Sequence, residues 1–230
     1  SRIMRGKVNL HLEIIELEPL LNRAVEAVRG TIDDHEQELI VALPEEPIRL
    51  GGYGGRDTEH EGVAQKIWAK AIALGSDDEG PVVMITTDLV GISDEITDKV
   101  AETLAREAGM DRADLAVGVT HTHSGPMVDG VLPFMFGGDR PPAHQRRIEE
   151  YTEHLVGQLE EVALDALDNR QPSQVAWGKG EVGFATNRRV LEDGEWTGFG
   201  HTDGPVDHDL PILTVRDAEG NLRGVLVSYA

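Results

Sequence analysis

Apolar positions recur along this chain with two periods, and the switches between them predict its elements. Leu17, Leu20, Leu21, Ala24, Val25 and Val28 fall at helical spacing, and Gly30 fits a helix stop. Residues 38–43 then read as a short strand that ends at Pro44. Residues 67–74 alternate, with Trp68, Ile72 and Leu74 on one face and Ala69, Ala71 and Ala73 on the other. Residues 81–88 form a strongly apolar strand that ends in Asp88. Ser93 is a good helix N-cap, followed by Asp94 and Glu95 at the positive end of the helix dipole. Ile96, Val100, Leu104 and Ala108 sit four apart on one face, and Gly109 ends the helix. A second apolar strand covers residues 115–119.

Strand, helix and strand in this order predict a βαβ crossover. Asp88 and His121 then share the carboxyl edge of a parallel pair, where α/β sheets place their chemistry. Residues 144–169 predict a long amphipathic helix with Ile148, Leu155, Leu159, Val162, Ala166 and Leu167 in its stripe. That stripe leaves His144 and His154 on the solvated face, without a metal role. Pro172 stops the helix. Short strands follow at 175–177, 181–185, 211–216 and 222–229, with residues 217–221 as a hairpin turn. The expected class is α/β, with a mixed sheet and flanking helices.

Composition narrows the partners. The chain has 230 residues and a formal charge of -21, which argues against nucleic acid, because phosphate binding needs clustered Lys and Arg. No stretch is apolar and long enough to span a bilayer. Cysteine is absent, which removes disulfides, thiolate metal sites and a cysteine nucleophile. A metal would have to use His, Asp, Glu, Tyr or water. All the aromatic residues lie after position 50, so a composition break falls near Leu50-Gly51-Gly52.

Candidate chemistry concentrates at Thr120-His-Thr-His-Ser-Gly-Pro126. On an extended backbone the i, i+2 spacing of His121 and His123 turns both imidazoles to one side. Such a pair is either a set of hydrogen-bonded structural histidines or part of a metal site, and two histidines do not close one. Asp88 is either a turn cap or a site residue. Gly51-Gly-Tyr-Gly-Gly55 is a glycine-rich turn without dinucleotide-fingerprint spacing, suited to close backbone approach. Arg56, just after it, points into a site or is solvated. Residues 126–143, rich in Pro, Gly and Met, read as a loop bordering a pocket.

Five stretches in order extend this picture: Gly52-Tyr-Gly-Gly-Arg56, Val83-Met-Ile-Thr-Thr-Asp88, the His-Thr-His-Ser-Gly-Pro run, Phe184-Ala-Thr-Asn-Arg188 and Gly204-Pro-Val-Asp207. Together they resemble the N-terminal part of the neutral/alkaline, non-lysosomal ceramidase family, over residues 51–230. The resemblance implies a zinc amidase that cleaves the N-acyl bond of ceramide or a related N-acyl lipid. It implies His121 as a zinc ligand and His123 beside it, contacting substrate or moving a proton. It implies Arg188 on a substrate oxygen, Asp88 as an acid orienting a histidine, and Asn187 and Arg56 as substrate contacts. For Asn187 and Arg188 the residues alone favour a structural turn. The family places a further zinc-binding His after the final strand, and a Glu and a Tyr later still. The expectation is therefore an incomplete, inactive portion of a secreted or periplasmic enzyme. Arg189 stands where familiar ceramidases have Ser-Pro, and aromatic residues are few for a lipid-tail groove, which points to N-acyl compounds other than ceramide itself.

Residues 1–50 carry a different resemblance. Ser1-Arg-Ile-Met-Arg-Gly-Lys7, Ala24-Val-Glu-Ala-Val-Arg29 and Leu43-Pro-Glu-Glu-Pro-Ile-Arg-Leu50 look like the segment joining the phosphoacceptor helices of a sensor histidine kinase to its ATP-binding domain. That implies a chimeric chain, by fusion or by sequence error. The competing functions are a fragment of a two-component kinase and a ceramidase-like domain without catalysis.

Overall fold

The computed structural model describes residues 39–41, 46–78, 80–136 and 139–229. The expected helix over 17–30 and most of the kinase-like segment lie outside these residues. The chain divides into two compact units, one spanning Ile32–Arg170 and the other containing the segment from Gln171 onward.

The first unit is built on a four-stranded sheet in the order β1-β2-β3-β4. Its strands are β1 (Leu39–Val41), β2 (Ile67–Leu74), β3 (Val82–Thr87) and β4 (Leu115–Val119). β1 and β2 are antiparallel, β2 and β3 are antiparallel, and β3 and β4 are parallel, so the sheet is mixed. β1 lies within the strand expected at 38–43. It joins the same sheet as β2, so the composition break near residue 50 is not a break in the sheet.

Helix α1 (Asp94–Ala108) makes the crossover from β3 to β4. The Ser93 hydroxyl accepts the Ile96 N–H at 3.3 Å. Gly109, at φ 67°, closes the other end by donating to the Leu104 and Ala105 carbonyls. A helical turn, α2 (Pro133–Phe136), follows β4, then the long helix α3 (Pro142–Asp168). α3 starts two residues before the expected His144, because Pro142 and its fixed φ suit a first helical turn.

α3 packs on β2 and β3 and against α1. Between them lie Ile85, Leu89, Leu104, Ile148, Leu155 and Leu159, all essentially without solvent contact. The core-facing side of β2 is its small one. Ile67 and Ala69 are buried, and Ala71 and Ala73 pack on the core, while Trp68, Ile72 and Leu74 are half-buried on the opposite face. Small side chains let a helix lie close to a sheet. No helix among the described residues is long and apolar enough to cross a membrane.

The second unit contains a three-stranded antiparallel sheet in the order β5-β8-β9, made of β5 (Ser173–Glu181), β8 (Asp209–Asp217) and β9 (Leu222–Val227). The expected turn at 217–221 joins β8 to β9. The expected strand at 181–185 is corrected: residues 182–186 are irregular. They are pinned by Tyr229, whose hydroxyl donates to the Val182 carbonyl and accepts the Ala185 N–H. The sequence reading also missed a separate hairpin, β6 (Asn187–Glu192) and β7 (Glu195–Thr202). Asp193 and Gly194 turn it with φ of 52° and 84°. Positive φ at both central residues is the hairpin signature of an Asp-Gly pair.

Candidate active site

The site grows from the carboxyl edge of the parallel pair. Thr87 pairs with Val119, and the Thr120 N–H continues the ladder to the Thr87 carbonyl at 3.0 Å. Asp88 and the His121 loop therefore leave the same edge, as expected. Asp88 is tied to β2 from both its groups: its N–H donates to the Trp68 carbonyl, and its Oδ2 accepts the Trp68 N–H at 3.0 Å.

The two histidines meet by a route other than strand alternation. β4 ends at Val119, and His121 adopts φ 56°, in the left-handed region. An extended backbone is excluded there, so the loop itself must bring the rings together. Their centroids lie 5.1 Å apart and the rings are nearly edge to face. His121 Nδ1 is 2.6 Å from the Val90 carbonyl. A carbonyl only accepts, so Nδ1 carries the proton, and in the neutral ring Nε2 is the nitrogen with the lone pair. His121 is exposed and His123 half-buried.

The glycine-rich turn forms the opposite wall. The Gly51 N–H donates to the Gly125 carbonyl at 3.0 Å, and the Met127 N–H donates to the Arg49 carbonyl at 2.8 Å. Leu50 and Pro126 form an antiparallel bridge between these contacts. Gly52, at φ 108°, presses on His123 so closely that a Cβ there would lie 2.4 Å from the imidazole Cγ. The Tyr53 ring stands edge-on to His123 with centroids 4.6 Å apart. Arg56 Nη1 donates to the His123 carbonyl at 2.9 Å and to the Gly51 carbonyl at 3.2 Å. Its guanidinium carbon is 4.9 Å from the Tyr53 ring centroid.

Beyond this turn, Phe134 and Met135 are exposed, and the Met135 carbonyl would lie 3.2 Å from a Cβ on Gly54. Part of the Pro- and Met-rich segment thus borders the glycine turn.

His144 differs from its expected solvated position. Arg49 Nε donates to its Nδ1 at 3.0 Å, and its Nε2 is 3.3 Å from Glu59. Arg147 Nε also donates to Glu59, at 2.8 Å, which raises the Arg147 pKa. The cause is the bridge between Arg49 and Glu59, which sets both side chains against the first turns of α3. His154 is exposed, as expected.

Asn187 and Arg188 belong to the second unit, on β6. The Asn187 amide donates to the Pro205 carbonyl at 3.0 Å, and its Oδ1 accepts the Arg189 N–H at 3.0 Å. A Cβ on Gly204 would lie 2.7 Å from its Nδ2. Asn187 thus holds the open end of the hairpin together.

Among the described residues no group of three or more His, Asp or Glu side chains is arranged to hold a metal ion. The donor chemistry of His121 suits one ligand of zinc, and the described residues supply no closed set. Sequence reasoning missed the Val90 carbonyl, which a side-chain motif cannot reveal. It also gave no role to Tyr53, whose only signal was an aromatic residue inside a glycine turn.

No protein-family profile matches the chain, and no curated protein matches it. Solved structures do. The chain is similar to the neutral ceramidase of Pseudomonas aeruginosa, with a TM-score of 0.62 and 21% identity, over 83% of this chain and 30% of that one. It is similar also to a ceramidase complexed with C2, with a TM-score of 0.63 and 21% identity, over 83% of this chain and 29% of the other. The chain spans about a third of the length of the ceramidases it matches. Over that span it has a ceramidase-like fold.

Proposed function

We propose that this chain is part of a zinc-dependent amidase that hydrolyses the N-acyl bond of ceramide or a related N-acyl lipid. The observation that carries the reading is His121. Its Nδ1–H is fixed on a backbone carbonyl, and its Nε2 lone pair is left for a ligand. Metal-bound histidines are commonly oriented in this way, by a carbonyl or carboxylate on the other ring nitrogen. The setting is consistent, at the carboxyl edge of a parallel strand pair in a ceramidase-like fold.

His121 would hold the ion through Nε2, with further ligands from outside the described residues. Zinc, when bound, supplies Lewis acidity to the amide carbonyl and an activated water. His123, in ring contact with His121, would hold or pass the proton that the leaving amine needs. Asp88 would keep the ends of β2 and β3 together beneath the histidine loop.

The test uses the full-length protein that carries this chain. His121→Ala should lose zinc, read by elemental analysis, and lose release of fatty acid from a fluorescent N-acyl sphingosine. Full zinc occupancy in that variant removes His121 from the ligand set. The 230-residue chain alone should bind zinc weakly and release no fatty acid. Zinc-dependent hydrolysis by the chain alone overturns the requirement for outside ligands.

A further inference from the structure

We infer that Arg56 is a positioning residue that sets His123, rather than a contact to substrate. What His123 does chemically rests on the amidase reading; the geometry that holds it does not.

His123 lies in irregular backbone beyond the end of β4. No strand ladder fixes it, so its placement depends on what packs around it. Apart from the His121 ring, one turn supplies the contacts described for it. Gly52 contributes an absence of side chain where the imidazole passes, and Tyr53 contributes a ring edge. Arg56 contributes the polar link, because a single nitrogen bridges the carbonyls of Gly51 and His123. These carbonyls belong to two segments far apart in sequence, and Gly51 is itself bonded to Gly125. A charged donor shared between them fixes the gap between the glycine turn and the histidine loop. The guanidinium stacks on Tyr53, which keeps that ring against His123. The turn is closed locally by the Arg56 N–H on the Tyr53 carbonyl at 3.0 Å. Arg56 therefore acts on both the backbone and the ring neighbour of the same histidine. The residue expected from sequence to meet substrate has Nη1 committed to the protein backbone.

Lysine cannot reproduce this arrangement fully. Its ammonium is a point charge without a planar face to stack, though it can reach one carbonyl. Tyr53→Leu removes the ring edge and the stacking surface while leaving every backbone partner in place.

The experiment uses the full-length protein with isotope-labelled histidine. It reads the imidazole resonances, the melting temperature, kcat and KM on a fluorescent N-acyl sphingosine. In Arg56→Ala the His123 ring signals should shift or broaden more than those of His121, which is in contact with that ring but anchored on Val90. kcat should fall by about ten- to a hundredfold, with KM within about twofold. Arg56→Lys should recover part of the kcat loss. Tyr53→Leu should likewise shift the His123 signals more than those of His121, and it keeps the inference testable if Arg56→Ala does not fold. Unmoved His123 signals in Arg56→Ala and Tyr53→Leu overturn the inference. So does a rise in KM at constant kcat, which marks a substrate contact. A wild-type protein that hydrolyses no N-acyl lipid refutes the amidase reading, yet the His123 signals still decide whether Arg56 positions that ring.

Discussion

Gly52 carries two constraints at one position. Its φ of 108° is open to glycine and strained for other residues, and the space where a side chain would start is filled by His123. Gly52→Ala should therefore cost more than about 1 kcal/mol, since the native conformation is incompatible with a Cβ. Gly55→Ala, three residues on, meets nothing within 4 Å and should be close to neutral. Denaturant midpoints of the two variants check this, and equal costs would remove the argument from close approach. His121 shows the same kind of control in reverse. A histidine held at φ 56° stores backbone strain, and such residues concentrate where geometry is set for a purpose. The motif named both histidines, but neither the left-handed φ nor the Val90 carbonyl is encoded by residue type.

Among the elements, the β8–β9 hairpin has a titratable lock at its turn. The Asn221 side-chain amide donates to Asp217 Oδ2 at 3.0 Å, and the Asn221 N–H donates to Oδ1 at 2.8 Å. These bonds favour the ionised carboxylate and hold the Asp217 pKa below its ordinary value. A folded-state pKa below the unfolded one gives stability that is present above the unfolded value, near about 3.9. That stability is lost as pH falls through the folded value. The stability difference between wild type and Asp217→Asn should thus be constant from neutral pH down to about 4 and shrink below it. Chemical denaturation of both proteins between neutral and strongly acidic pH measures this; a difference that does not change with pH would rule out the carboxylate as the lock. The turn itself was legible, as was α1, where Ser93, the Ile96, Val100 and Leu104 row and Gly109 all agree. The β6–β7 hairpin was also written in the sequence, at Asp193-Gly194. It was missed because its strands, Asn187–Glu192 and Glu195–Thr202, mix charged residues and glycine instead of alternating cleanly.

For the whole molecule, the two units differ in how much they bury. In the first, α3 packs on the sheet and α1 packs against α3, and β3 lies between β2 and β4. In the second, Leu210 and Val215 are buried, but Val175, Trp177 and Val227 remain between 45% and 52% exposed. Cooperative opening costs least where few apolar contacts must be broken. Amide hydrogen exchange should therefore be slowest in β3 and the middle of α3, and faster in β5 and β9. Equal protection across both units would show that the second sheet is stabilised by more than the contacts seen within it. The composition break near residue 50 suggested another division. Aromatic content reports on local packing material, whereas the sheet recruits β1 across that point through backbone hydrogen bonds.

The sequence by itself determined the elements with a strong period or a clear stop signal, the parallel β3–α1–β4 crossover, and the histidine pair at its carboxyl edge. These follow from local sterics, capping and alternation, which act over a few residues. The tertiary structure alone decided that the alanine face of β2 is the buried one, because only the approach of α3 selects between two apolar faces. It decided that His144 joins Arg49 and Glu59, since that contact spans 95 residues of chain. It also decided that the glycine turn, Tyr53 and Arg56 close on His123. Arg56 and the His123 carbonyl are 67 residues apart, a pairing that backbone folding creates and no local pattern can announce.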